Sequence, residues 1–300
     1  MADNTIPAPV AGALPIVVAV DGSEISYQAV AWAAGEAEMR QVPLHIITSF
    51  PVTVGDEPRT ALGAAELAAV RRDGERVLAE ATRIARHAAR SENLPLTTEF
   101  TFELITPTLL SMSRRARMLV VGNRGRGAVR RAVLGSVSTA VARHAHCPVA
   151  VVHGVAETDP GSPGKPVVVG VDGTENSLPA IESAFEEASR RKADLIAVHA
   201  WSNSTGYDLP VVGWDGIRET QDVLLAESLA GCGERYPEVR VERVVACDTP
   251  VRALLEHAEG AQLLVVGSHG RGGFQGMLLG SVSTALLHLA QCPVLVVRAG

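Results

Sequence analysis

The first apolar run of the chain, Ile16-Val-Val-Ala-Val20, is hydrophobic at every position and stops at Asp21-Gly22-Ser23. An unbroken β-branched run of this length suits a parallel strand covered on both faces, and Asp-Gly-Ser reads as a turn into a helix N-cap. A helix is expected from there to about Arg40, and Leu44 to Phe50 forms the next strand. A loop rich in Pro and Gly follows, then a long helix over about Ala64 to Ser91 and a strand near Leu96 to Glu103. A short helix begins around Thr106-Pro107, with proline at its first position. Strand Met118 to Val121, a glycine-rich loop, a helix from Ser136 and strand Val149 to Val152 complete the series.

The second half repeats this order. Its first strand is Val168-Val-Gly-Val-Asp-Gly-Thr174, against Val17-Val-Ala-Val-Asp-Gly-Ser23. Ile181, Ala184, Phe185 and Ala188, spaced i, i+3, i+4, i+7, give the following helix one apolar stripe to lay against a sheet. Leu195 to Trp201, Glu219 to Arg235, Val239 to Val245 and Thr249-Pro250 match the strand, long helix, strand and short helix of the first half. Residues 118–152 and 263–297 align at a constant offset of 145 with 20 identities in 35 positions. Strand and helix alternating in this way specify α/β domains, each a doubly wound, five-stranded parallel sheet of Rossmann-like kind. Two tandem domains are expected, residues 14–155 and 166–300, with a Pro/Gly-rich linker over 156–165 and a disordered N-terminus over 1–13.

Composition narrows the function. A net charge of −6 and 4% aromatic residues provide neither a basic footprint nor stacking platforms, so nucleic acid is not an expected partner. No stretch is long and apolar enough to insert into a membrane, and residues 1–9 lack the basic and apolar regions of a signal peptide, so a cytoplasmic location is expected. The four cysteines form no Cys-x2-Cys pair. His144-Ala-His146-Cys147 has zinc-type donors, but a helix turns i and i+2 to different faces, and no metal site is expected.

The chemistry concentrates in the repeated loop, which reads Gly-x2-Gly-x9-Gly-Ser at Gly122, Gly125, Gly135 and Ser136, and again at Gly267, Gly270, Gly280 and Ser281. Phosphate needs inward-pointing backbone N–H groups with no Cβ in the way, and it favours the positive end of a helix. Gly127 and Gly272 add unhindered backbone, and the hydroxyls of Ser136, Ser138, Ser281 and Ser283 suit either a helix cap or a phosphate oxygen. Arg124, Arg126, Arg130, Arg131 and Arg271 in the loops suit either triphosphate charge or plain solvent exposure. Asp21 and Asp172, ending the first strands, suit ribose hydroxyls, a phosphate-bound Mg²⁺ or an Asx-turn. A phosphate loop of the Gly-x4-Gly-Lys type is excluded, because the only lysines, Lys165 and Lys192, lie outside any such motif. No Gly-x-Gly-x2-Gly follows either first strand, which argues against dinucleotides. No nucleophilic or acid/base constellation is recognisable, so no catalytic residue is expected.

The glycine motif, the strand-one aspartate and the Cys-Pro-Val strands resemble the universal stress protein family in its ATP-binding branch. The tandem arrangement is similar to the two-domain members of mycobacteria and related actinobacteria, over nearly the whole chain past residue 15. The resemblance implies ATP, with Mg²⁺, in each domain. The implied contacts are Asp21, Gly22, Ser49, Gly122, Gly125, Arg126, Gly127, Gly135, Ser136, Val137 and Ser138 in the first. In the second they are Asp172, Gly173, Ala200, Gly267, Gly270, Arg271, Gly272, Gly280, Ser281, Val282 and Ser283. Ser49 and Ala200 fall where the family reads adenine through strand-two backbone. The family also pairs domains through their last strands, implying either an internal pair or a homodimer, and an unidentified protein partner. The activity implied is regulation or sensing in stress or dormancy without fast catalysis. The alternative is a slow ATP hydrolase or nucleotidyl-transfer enzyme on the same fold.

Overall fold

A computed structural model describes residues 13–51, 63–91, 93–125, 134–154, 164–201, 214–270 and 279–298. The chain divides into two compact units, Met1–Gly154 and Val155–Gly300. The expected disordered N-terminus and most of the expected linker lie outside the described residues.

The first unit runs β1 (Ile16–Ala19), α1 (Glu24–Arg40), β2 (Leu44–Ser49), α2 (Ala64–Ala88), β3 (Leu96–Thr101), α3 (Ile105–Met112), β4 (Met118–Gly122), α4 (Ser136–His144) and β5 (Val149–Val152). Its strands lie in the order β3-β2-β1-β4-β5, and every pair is parallel. Strand order therefore reverses between β1 and β4. Right-handed crossovers on either side of that reversal send helices to opposite faces; accordingly α1 packs on α2, and α3 on α4. The inner strands carry the core, with Ile16, Val18, Leu44, Ile46, Leu119 and Val120 fully buried.

The second unit repeats this as β6 (Val167–Gly170), α5 (Leu178–Arg191), β7 (Leu195–Ala200), α6 (Trp214–Arg235), β8 (Val241–Ala246), α7 (Pro250–Ala258), β9 (Leu263–Gly267), α8 (Ser281–Leu289) and β10 (Val294–Val297). Its order is β8-β7-β6-β9-β10, again parallel throughout. The doubly wound α/β reading is thus the observed fold in both units.

Several boundaries differ from expectation for local reasons. Helix α2 stops at Ala88, short of Ser91, because the carboxylate of Glu38 on α1 accepts from the backbone N–H groups of Arg90 and Ser91 at 2.9 and 2.5 Å. Pro107 takes the third position of α3, still within the first turn whose N–H groups have no intrahelical acceptor, whereas Pro250 opens α7 after the N-cap Thr249. Helix α6 begins at Trp214, five residues before Glu219. The edge strand expected over Val239 to Val245 begins at Val241, since Val239 closes a turn onto Tyr236.

Buried Gly74 in α2 faces a cluster in which Phe100 stacks on Phe50 and meets Phe102 edge-on, with the Arg71 guanidinium beside this group. The rings under Arg71 are those of Phe100 and Phe102, and a Cβ at Gly74 would lie 2.2 Å from two Phe100 ring carbons. Gly74→Ala therefore trades a helix-propensity gain of about 1 kcal/mol for overpacking that costs about 1–3 kcal/mol. Urea unfolding of this variant should show a net loss of about 1 kcal/mol rather than a gain.

Cys147 and Cys292, just before β5 and β10, are buried, and burial pushes the Cys292 thiol up to about 12. The low thiolate fraction at neutral pH suits a packing role for Cys292.

Candidate functional site

Each site is built where strand order reverses, at the carboxyl ends of β1 and β4 or of β6 and β9. After β1 the chain must turn out of the sheet, and Gly22 permits it with φ 83°; Gly173 does the same with φ 77°. The Asp21 side chain then organises the turn, its Oδ1 accepting from the Ser23 N–H at 3.0 Å and the Ser23 hydroxyl at 2.6 Å. Ser23 caps α1 by accepting from the N–H of Ser26. Asp172 Oδ1 accepts from the N–H and hydroxyl of Thr174 at 2.8 and 2.7 Å. One oxygen of each carboxylate is thus committed to an Asx-turn.

The other oxygen faces the glycine loop. A Cβ on Gly125 would stand 2.6 Å from Asp21 Oδ2, and one on Gly270 would stand 3.0 Å from Asp172 Oδ2. A side chain at Gly125 would have to displace the strand-one carboxylate, and one at Gly270 would press against it. Gly122 is tight for another reason, since its Cβ would meet Ile25 Cγ2 at 2.6 Å. The base of each loop is pinned by backbone bonds: Asn123 N–H to Val152 O at 2.8 Å and Gly135 N–H to Asn123 O at 2.8 Å. Ser268 N–H to Val297 O and Gly280 N–H to Ser268 O, both 2.7 Å, repeat them.

Gly135 and Gly280 are the N-caps of α4 and α8, and neither offers a side chain to the first-turn N–H groups. Those donors remain suited to an outside acceptor. Ser136 and Ser281 open the helices and are exposed, with Val137 and Val282 half-buried behind them. Ser138 and Ser283 serve differently: their buried hydroxyls donate to Gly122 O and Gly267 O at 2.6 Å, holding each helix entrance to its strand end. Arg126, Gly127, Arg271 and Gly272 lie outside the described residues.

The Ser49 hydroxyl donates to Glu103 O, tying the end of β2 to the segment after β3, and Ala200 holds the equivalent place on β7. Beside them are two residues that sequence reasoning passed over. Buried Thr48 donates from Oγ1 to Val20 O at 2.6 Å. His199 takes its place in the second unit: Nδ1 lies 2.8 Å from Val171 O, so it carries the proton, and Nε2 is 2.9 Å from Gln221 on α6. A polar residue one place before the strand end, Thr48 after Ile46-Ile47 and His199 after Ala197-Val198, was the available signal. Among the described residues, no group of three His, Cys, Asp or Glu side chains is placed to hold a metal.

Both units match the sequence model of the universal stress protein family, over residues 14–153 and 164–298. The chain belongs to this family. Two universal stress proteins of Mycobacterium tuberculosis are similar along their whole length. One is 44% identical over 284 residues, covering 94% of this chain and 96% of that protein. The other is 43% identical over 303 residues, covering 95% of each. Among solved structures, a universal stress protein from Archaeoglobus fulgidus superposes with a TM-score of 0.63 at 20% identity, covering 96% of this chain and 97% of that one. That likeness shows the tandem stress-protein fold. Among the described residues, no helix is long and apolar enough to cross a membrane.

Proposed function

We propose that this universal stress protein binds ATP, with Mg²⁺, in each unit and works as a nucleotide-responsive regulator in a stress or dormancy response. The observation that carries this reading is the approach of Gly125 and Gly270 to within a Cβ's distance of Asp21 and Asp172, beside a helix entrance whose cap has no side chain. A phosphate chain fits against loop backbone and helix N-terminus, while the aspartate oxygen facing the loop suits a ribose hydroxyl or Mg²⁺. The ends of β2 and β7 at Ser49 and Ala200 are the places for the base.

Slow chemistry follows from the same residues. One oxygen of each aspartate is engaged, by Ser23 or by Thr174, and the loops contain no lysine. ATP occupancy then biases a surface that a protein partner or a second copy reads. A turnover assay with purified protein and MgATP should give phosphate release close to the uncatalysed background under conditions where ATP binds. Release or adenylyl transfer at rates of about 1 s⁻¹ or more, ordinary for enzymes, would replace the regulatory reading with the enzymatic one.

A further inference from the structure

The two loops share their glycines but differ in charge. Four arginines, Arg124, Arg126, Arg130 and Arg131, stand between Gly122 and Gly135, against Arg271 alone between Gly267 and Gly280. At the one arginine of the first loop that the structure describes, the difference is physical. Arg124 lies beside the glycine loop's two ends: its carbonyl oxygen is 3.3 Å from where a Gly122 Cβ would be, and its Cα is 3.7 Å from where a Cβ on Gly135, the cap of α4, would be. Its Nε is buried, and among the described residues nothing accepts a hydrogen bond from it; the neighbouring Asn123 Oδ1 is likewise buried without a donor. A buried guanidinium N–H without an acceptor is costly, and a phosphate oxygen is the kind of group that removes the cost.

The second unit answers these positions internally. Ser268 and His269 stand where Asn123 and Arg124 stand, and Ser268 Oγ lies 3.0 Å from His269 Nδ1. The pair satisfies itself and presents no guanidinium.

We propose that Arg124 is a specificity-determining residue that reads phosphate charge, so that the first site discriminates ATP from AMP more steeply than the second. This rests on the nucleotide-binding reading above. A guanidinium–phosphate contact made with ATP and not with AMP is worth about tenfold or more in affinity.

The test measures AMP, ADP and ATP binding by titration calorimetry on two full-length proteins, one with the second site blocked by Gly270→Glu and one with the first blocked by Gly125→Glu. The ATP-to-AMP affinity ratio should be about tenfold or more higher at the first site than at the second. Adding Arg124→Ala should bring the first site's ratio down to that of the second. His269→Arg should raise the ratio at the second, which guards against an Arg124 variant that merely folds poorly. Equal ratios at the two sites, or a first-site ratio unmoved by Arg124→Ala, would overturn the role of Arg124 while leaving nucleotide binding intact. Absence of binding by all three nucleotides in the unmodified protein would overturn the nucleotide reading and this inference together.

Discussion

Replacing Arg191 with methionine should destabilise the second unit by about 3–5 kcal/mol. Arg191, one turn after Glu187 on α5, donates from Nε to Glu187 Oε2 at 3.0 Å, and both side chains are essentially sealed from solvent. Its Nη1 reaches Gln262 Oε1 at 3.2 Å, and Gln262 in turn donates to Lys165 O at 2.6 Å. Burial pulls the guanidinium down to about 10, which leaves it charged at neutral pH. Methionine fills similar volume but leaves the Glu187 carboxylate buried without its arginine. Removing both charges as Glu187→Met with Arg191→Met should recover most of the loss, because a buried pair contributes little net stability although breaking it is expensive. Urea midpoints of the two variants decide this. Glu36 and Arg40 form the equivalent buried pair in the first unit, at 3.2 Å, so Arg40→Met should behave alike there.

The second large effect concerns binding. Gly125→Glu should abolish nucleotide binding in the first unit and Gly270→Glu in the second, each leaving the other unit's site intact. The added Cβ would fall 2.6 or 3.0 Å from an aspartate oxygen, and the new carboxylate would bring negative charge to the proposed phosphate position. Gly125 is exposed and its Cβ would meet a carboxylate end that can shift, so the change should cost less stability than Gly122→Glu, which drives a side chain into Ile25 at a buried strand end. Titration of each variant with ATP should give half the parental stoichiometry while the protein keeps its cooperative thermal transition. Full stoichiometry in either variant would remove that loop from the site.

The fold was legible because its information is local. Runs such as Ile16 to Ala19 and Leu263 to Val266 are apolar at every position, which buried parallel strands require, and Gly22 and Gly173 punctuate them where positive φ is needed. Tertiary contacts supplied what local pattern could not. The end of α2 depends on Glu38, fifty-two residues away from Arg90 in sequence, and the start of α6 falls in Trp-Asp-Gly, which reads as loop. At the candidate site, the glycine spacing and the strand-end aspartates could be read from the sequence, but which groups each side chain bonds could not. Nothing in Gly-Ser-Val-Ser says that the second serine bonds back to Gly122 and Gly267, and nothing in strand two says that Thr48 and His199 cap the same carbonyl position. Those assignments require the strand ends to be side by side.

Two nucleotide sites in one chain should be countable. Equilibrium dialysis of the full-length protein against MgATP counts them. Two ATP molecules per chain at saturation, falling to one in Gly125→Glu and one in Gly270→Glu, is the predicted result; no binding at millimolar ATP by protein with intact far-ultraviolet dichroism would contradict it.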